Sequence, residues 1–163
     1  MKAITLWQPW ASLWCSPAKI HETRGWHTPH RGWLLVHAAK RKLDDFTGDK
    51  LDEIMDEHFG QHWGLEIPFG AIVGMVRLVD CVRTETMSPF HKDTDDYECG
   101  DFAPDRFAWK RGDYRVFVES IPYKGAQGFF DVPNDVYAGH DVRAYDLHGN
   151  MLDPRSHPSY ASA

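Results

Sequence analysis

Lys19-Ile20-His21-Glu22-Thr23-Arg24 is the stretch on which the reading of this chain turns. Side chains of an extended strand alternate between its two faces, so Glu22 and Arg24 share one face, and Lys19 reaches the same side from the strand's entrance. Ahead lies Trp7-Gln8-Pro9-Trp10. Behind come Trp26, His27, His30, Arg31 and Gly32, then an apolar run ending His37-Ala38-Ala39-Lys40-Arg41. The segment from Leu6 to Arg41 therefore gathers the candidate site residues, and everything after residue 43 reads as scaffold.

Working outward, Lys2 to Leu6 alternates and reads as a first strand. Pro9 suits the first turn of a helix, where its missing N–H costs nothing, and Trp10, Leu13 and Trp14 recur at helical spacing up to Cys15-Ser16-Pro17. That spacing makes at least two tryptophans core residues, whereas Trp7 and Gln8 sit at a strand–helix junction, where a side chain can face a cleft. Ile20 to Arg24 continues as strand, Gly25 to His30 is a loop, and Gly32 to Ala38 is a buried strand by its continuous apolar content. From Leu43 to Phe59 apolar residues at 43, 46, 51, 54, 55 and 59 predict an amphipathic helix with an acidic outer face.

A loop over 61–70 leads to a long central strand, Ala71 to Arg83, in which Gly74 predicts a bend or bulge. Thr84 to Arg106 is polar and acidic and reads as a surface excursion. Phe107 to Lys110 and Tyr114 to Val118, joined through Arg111-Gly112-Asp113, predict a β-hairpin. A short strand falls within Gly125 to Val132. A small hairpin about His148-Gly149 and a frayed end from Ser156 complete the chain.

At 163 residues, with 42% hydrophobic and 26% charged residues, the composition is that of one globular domain able to bury a core without staples. Cys15, Cys81 and Cys99 are odd in number and form no CxxC, which points away from a disulfide framework or a zinc ribbon and fits a reducing cytoplasm. No run is long and apolar enough for a membrane span, and no leader pattern is present. Residues 1–43 carry seven Lys/Arg against one acid, and residues 44–163 carry eleven against twenty-three, for a net charge of −6. A basic front on an acidic body favours a short or local anionic ligand over a long duplex track.

The order Leu-Trp-Gln-Pro-Trp-Ala-Ser-Leu over 6–13, Lys-x-x-Glu-x-Arg over 19–24, and Arg31-Gly32 before a strand ending His37-Ala38 resembles the ASCH domain family of PUA-like β-barrels. Gly70-Ala-Ile-Val-Gly74, Phe107-Ala-Trp109, Lys124-Gly-Ala-Gln-Gly128 and Asp131-Val-Pro133 resemble later blocks of its phage and bacterial members. The similarity covers roughly residues 2–133, leaving 134–163 as a C-terminal extension. Where the family usually has Gly two places before the lysine, this chain has Pro17. The resemblance implies an α+β fold, a small mixed β-barrel with flanking helices, and a cleft lined by the Lys-x-x-Glu-x-Arg motif.

Lys19 and Arg24 are suited to hold a phosphate or carbonyl, with Glu22 fixing their geometry or accepting hydrogen bonds from a base edge. Trp7 or Trp26 would stack a base. With Gln8, Arg31, His37, Lys40 and Arg41 these form the expected ligand site for single-stranded RNA or a modified nucleoside, with no cofactor. The plainer reading is an ion pair of Glu22 with Arg24 or Arg31 that pins a loop.

A catalytic reading makes Lys19 and Glu22 the acid–base pair of a metal-independent hydrolase on RNA or a nucleoside. The resemblance extends to amidohydrolases that use a lysine and a threonine nucleophile, but Glu22 stands at the threonine position and Thr23 points the other way. His27/His30 and His58/His62, with Glu57, have ligand-like spacing but no evident third partner, so no metal is expected. A protein-interaction adaptor using the acidic segment from Lys92 to Asp105 is the remaining alternative.

Overall fold

Two parallel strands carry the site, and the rest of the sheet wraps around them. The structure, a computed structural model, describes residues 1–41 and 48–153. In chain order its elements are β1 (Lys2–Leu6), α1 (Trp10–Trp14), β2 (His21–Arg24), β3 (Gly32–Ala38), α2 (Asp49–Phe59), α3 (Trp63–Glu66) and β4 (Ala71–Arg83). Two 3-10 turns (Thr84–Thr86 and Pro89–Asp93) and α4 (Asp95–Glu98) follow, then β5 (Phe107–Pro122), β6 (Phe129–Asp131), α5 (Asn134–Tyr137) and β7 (Val142–Tyr145).

The sheet is mixed and runs β2-β5-β4-β3-β1-β6, with β7 added to β5. β1 lies parallel to β3, Ala3 opposite Leu35 and Leu6 opposite Ala38, so both strands end at the same rim. Both faces of this sheet are covered, which is why β3 reads as an unbroken apolar run. Leu34 and Val36 point into one cluster with Ile4, Val76, Trp14 and Trp109, and Leu35 points into another with Ile72, Met75 and Phe117. A third cluster joins Leu13 of α1 to Leu51, Ile54 and Met55 of α2, and the predicted helical positions 43 and 46 lie outside the described residues.

Gly74 sits where the register of β4 shifts against both neighbours. A Cβ there would collide with the Arg115 carbonyl and come within 2.9 Å of Cys15 Sγ, so the bend depends on glycine. The curl brings the two ends of the sheet together without a backbone ladder. Trp26, just after β2, packs edge-on against Trp109 of β5 (centroids 4.6 Å apart) and Phe129 of β6 (5.3 Å). Trp109 Nε1 donates to the Trp26 carbonyl at 3.2 Å, and Arg24 Nη2 donates to the Thr5 carbonyl of β1 at 3.3 Å. Aromatic packing thus closes the seam where strand pairing stops.

The hairpin expected at Arg111-Gly112-Asp113 is not formed: β5 runs unbroken through it from Phe107 to Pro122. The reason lies in Arg111, whose side chain is completely buried and held by carbonyls. Its guanidinium donates to the carbonyls of Lys19 (3.0 Å), Gly112 (2.9 Å), Leu147 (3.3 Å) and Ser16 (2.5 Å) and stacks over the Tyr114 ring. The extra residues are absorbed as register shifts against β4 between Val76 and Asp80, a bulge instead of a turn. The loop expected over 61–70 contains α3, and the excursion over 84–106 contains the two 3-10 turns and α4. β7 pairs with β5, and a bridge between Tyr145 and Met151 completes the small hairpin. The last ten residues lie outside the described chain.

Candidate nucleic-acid interface

At the rim where β1 and β3 end, a cleft of about 1120 Å³ opens along the seam. It is lined by Thr5, Trp7, Arg24 and Trp26 and by the connection from Tyr123 to Gly128 between β5 and β6. His37, Lys40 and Arg41 enter from the end of β3, and Phe69-Gly70 from the start of β4. Among the described residues the lining holds four cations, Arg24, Lys40, Arg41 and Lys124, and no carboxylate. Trp7 and Trp26 are 48% and 40% exposed, which leaves part of two large flat rings open to a guest.

His37 fixes the floor. Its Nε2 lies 2.9 Å from the Tyr123 carbonyl, which can only accept, so Nε2 carries the proton and Nδ1 accepts from the Thr5 hydroxyl at 3.2 Å. Burial lowers its pKa, and the bond to the Tyr123 carbonyl only partly offsets that, so the imidazole is neutral at physiological pH. Its role is to tie β3, β1 and the 123–128 connection together.

A smaller hollow of about 240 Å³ branches from the cleft, sharing Thr5, Trp7 and Arg24 and adding Leu6, Trp10 and Glu22. Glu22 is buried, with Oε1 3.3 Å from Arg24 Nε and Oε2 3.2 Å from Lys19 Nζ. The Lys-x-x-Glu-x-Arg residues therefore converge as the alternation predicts, but at different depths. Arg24 reaches the cleft and Glu22 only the side hollow. Lys19 is 1% exposed, its ammonium donating to the Cys99 carbonyl at 2.6 Å beneath the excursion.

Of the other sequence-derived candidates, Trp7, Trp26, His37, Lys40 and Arg41 line the cleft. Gln8 does not: its amide accepts from Ser12 N (3.0 Å) and donates to Ser12 Oγ (2.8 Å) and the Pro68 carbonyl (2.7 Å), capping α1 and anchoring the approach to β4. Arg31 also lies elsewhere, bonded to the carbonyls of Thr28 and His30 and 3.6 Å from Asp80. Thr23 faces away from Glu22, its hydroxyl accepting from Asp101 N at 3.0 Å. Tyr123, Lys124 and Gln127 were not among the site candidates, although Lys124-Gly-Ala-Gln-Gly128 stood out as a block. The unusual glycine pair around Ala-Gln was the available signal.

Outside the cleft, Asp96 clasps the excursion to β2. Its Oδ1 accepts from the backbone N–H of Ile20 (2.6 Å) and His21 (2.8 Å), and its Oδ2 contacts His21 Nδ1 (2.6 Å) and His91 Nε2 (2.7 Å). Burial alone would raise this carboxyl, but the hydrogen bonds and charge of His21, with the bond from His91, outweigh it and hold Asp96 well below the usual carboxylate range. His21, His91 and Asp96 thus bring three potential ligand atoms within 4.8 Å of one another. Glu57, His58 and Asp95 form a second, more exposed group, and His62 is not part of it. The thiols of Cys15 and Cys99 are pushed up to about 12, chiefly by burial, and are not nucleophiles at neutral pH.

A model of the ASCH domain matches residues 4–131, four fifths of the chain and every wall of the cleft. The chain belongs to the ASCH domain family. The curled mixed sheet with flanking helices is accordingly a PUA-like α+β domain. Among proteins similar to this ASCH chain is human activating signal cointegrator 1, 27% identical over 138 residues, which cover 83% of this chain and 23% of that protein. The mouse protein of the same name is 32% identical over 81 residues, 48% of this chain and 14% of that protein. The ASCH chain thus spans less than a quarter of these relatives' length. Among its described residues no helix is long and apolar enough to cross a membrane.

Proposed function

We propose that this ASCH domain binds single-stranded RNA, or a modified nucleoside within it, in the cleft at the end of β1 and β3. The supporting observation is the lining itself: among the described residues, four cations and no carboxylate beside two exposed tryptophans, on a chain whose net charge is −6. Cations answer the backbone phosphates, and the indole faces accept unstacked bases whatever their identity. A duplex presents no free base faces and needs a longer basic track than this one.

The geometry favours binding over hydrolysis. Lys19 cannot reach a substrate in the cleft from beneath the excursion, and Glu22 is flanked by cations on both oxygens. The test is fluorescence anisotropy with a labelled single-stranded RNA, wild type against Arg24→Ala with Lys124→Ala. Loss of binding and a flatter salt dependence in the variant support the reading; equal binding with the fold intact would sink it. Incubating the same strand with the protein and reading its length checks the hydrolytic alternative, for which background-level cleavage is expected.

A further inference from the structure

We propose that the side hollow off the cleft selects guanine, with the Glu22 carboxylate reading the two donors on that base's Watson–Crick edge. This rests on the RNA-binding reading above and deepens it by naming the base.

The hollow is the smaller of the two spaces, at about 240 Å³ against about 1120 Å³ for the cleft, and the volume is ample for one heterocycle. Trp7 belongs to both spaces, so a base could leave the cleft across one indole and enter the hollow while its phosphate stays among the cations. Leu6 and Trp10 supply the remaining apolar surface, and Glu22 and Arg24 the polar end.

That polar end has unused capacity. A carboxylate offers about four lone-pair sites, and Glu22 spends them on two ion pairs of 3.2 and 3.3 Å. Both are longer than the roughly 2.7–2.9 Å of a strong charge-assisted hydrogen bond. Arg24 Nε is buried and has no hydrogen-bond partner, so its approach to Glu22 is misaligned. A buried carboxylate held between two cations, with lone pairs left over, is costly unless something donates to it.

Two carboxylate oxygens side by side match a base edge with two adjacent donors. Guanine has that edge in N1–H and the N2 amino group. Adenine and cytosine each pair one amino donor with a ring acceptor, and uracil sets one donor between two carbonyls; all three would press an acceptor against the carboxylate. Lys19 is then a positioning residue that holds Oε2 from below.

The experiment is a set of anisotropy titrations with octauridine and with the same strand carrying one central guanosine, adenosine or inosine. The guanosine strand is expected to bind about tenfold tighter than octauridine, the scale of one bidentate base contact. Adenosine should give no gain, and inosine, which lacks the amino group, only part of it. With Glu22→Gln, whose amide offers one acceptor and one donor, the guanosine strand should fall to the affinity that the same variant shows for octauridine.

Equal binding of guanosine and uridine strands by the wild type would overturn the proposal while leaving RNA binding intact, as would a guanosine preference that survives Glu22→Gln. The inosine strand tests the same contact in the unaltered protein, so a variant that fails to fold does not decide the matter. No binding to any strand would overturn both this inference and the reading beneath it.

Discussion

Gly125 lies directly against the imidazole of His37: a Cβ on it would stand 2.5 Å from His37 Cε1, 2.6 Å from Nδ1 and 2.6 Å from Thr5 Oγ1. The connection that lines the cleft from Tyr123 to Gly128 is thus seated by a hydrogen atom. Gly125→Ala must push that wall outward or break the His37 bonds, at a cost of about 1–3 kcal/mol. Urea denaturation should show the lower midpoint, and RNA affinity should fall with it; a variant as stable as wild type would mean the wall is free to shift.

The four cleft cations predict a graded salt dependence. Each of Lys40→Ala, Arg41→Ala and Lys124→Ala should lower the slope of log affinity against log salt by about 0.7, the single-strand value for one phosphate contact. Arg31→Ala, whose guanidinium lies outside the cleft, should leave the slope unchanged.

Lys19 is predicted to act on stability first. Lys19→Met removes the cation from a pair that is out of water and leaves Glu22 facing only Arg24, which by analogy with other buried pairs costs about 3–5 kcal/mol. Adding Glu22→Gln should recover part of that loss, because the carboxylate that has lost one of its two cations is gone. A single variant within about 0.5 kcal/mol of wild type in thermal or urea unfolding would mean that water reaches the pair.

Asp96 makes the clasp sensitive to acid. Its folded pKa is depressed, so its contribution is fully present above the ordinary carboxylate range and is lost as pH falls below about 4. Asp96→Asn should destabilise the domain at neutral pH by roughly 2 kcal/mol or more and flatten the acid limb of the stability–pH curve. Circular dichroism melts from pH 7 downward would read both effects.

His37 works over a higher window. Burial lowers its folded pKa, so protons bind the unfolded chain first and stability should decline as pH falls below about 6.5. His37→Gln should remove that part of the decline, and an unchanged curve between pH 7 and 5 would show that the imidazole takes up its proton without strain.

Much of this was written locally. Period-two alternation placed Glu22 and Arg24 together, the double-sided burial of β3 was legible in its unbroken apolar run, and the bend in β4 was legible at Gly74. Arg111-Gly112-Asp113 misled for a definable reason. Gly and Asp are turn residues by local preference, yet a buried guanidinium that reaches three distant carbonyls, those of Lys19, Ser16 and Leu147, outweighs that preference and draws the strand straight through. Gln8 misled similarly, since its amide is used up by Ser12 and by a residue sixty positions away.

What the sequence by itself determined is much of the material of the site: Trp7, Glu22, Arg24, Trp26, Lys40 and Arg41 all fall within the first 41 residues, on or beside strands whose periodicity sets their faces. What only the tertiary structure decided is depth. Lys19 and Arg24 flank the same carboxylate, yet one ends under the Cys99 carbonyl and the other at an open rim, while Lys124 arrives from the far end of the chain to complete the wall. Periodicity fixes direction from the backbone but carries no information about what folds over it, because that cover is set by contacts between segments some eighty to a hundred residues apart.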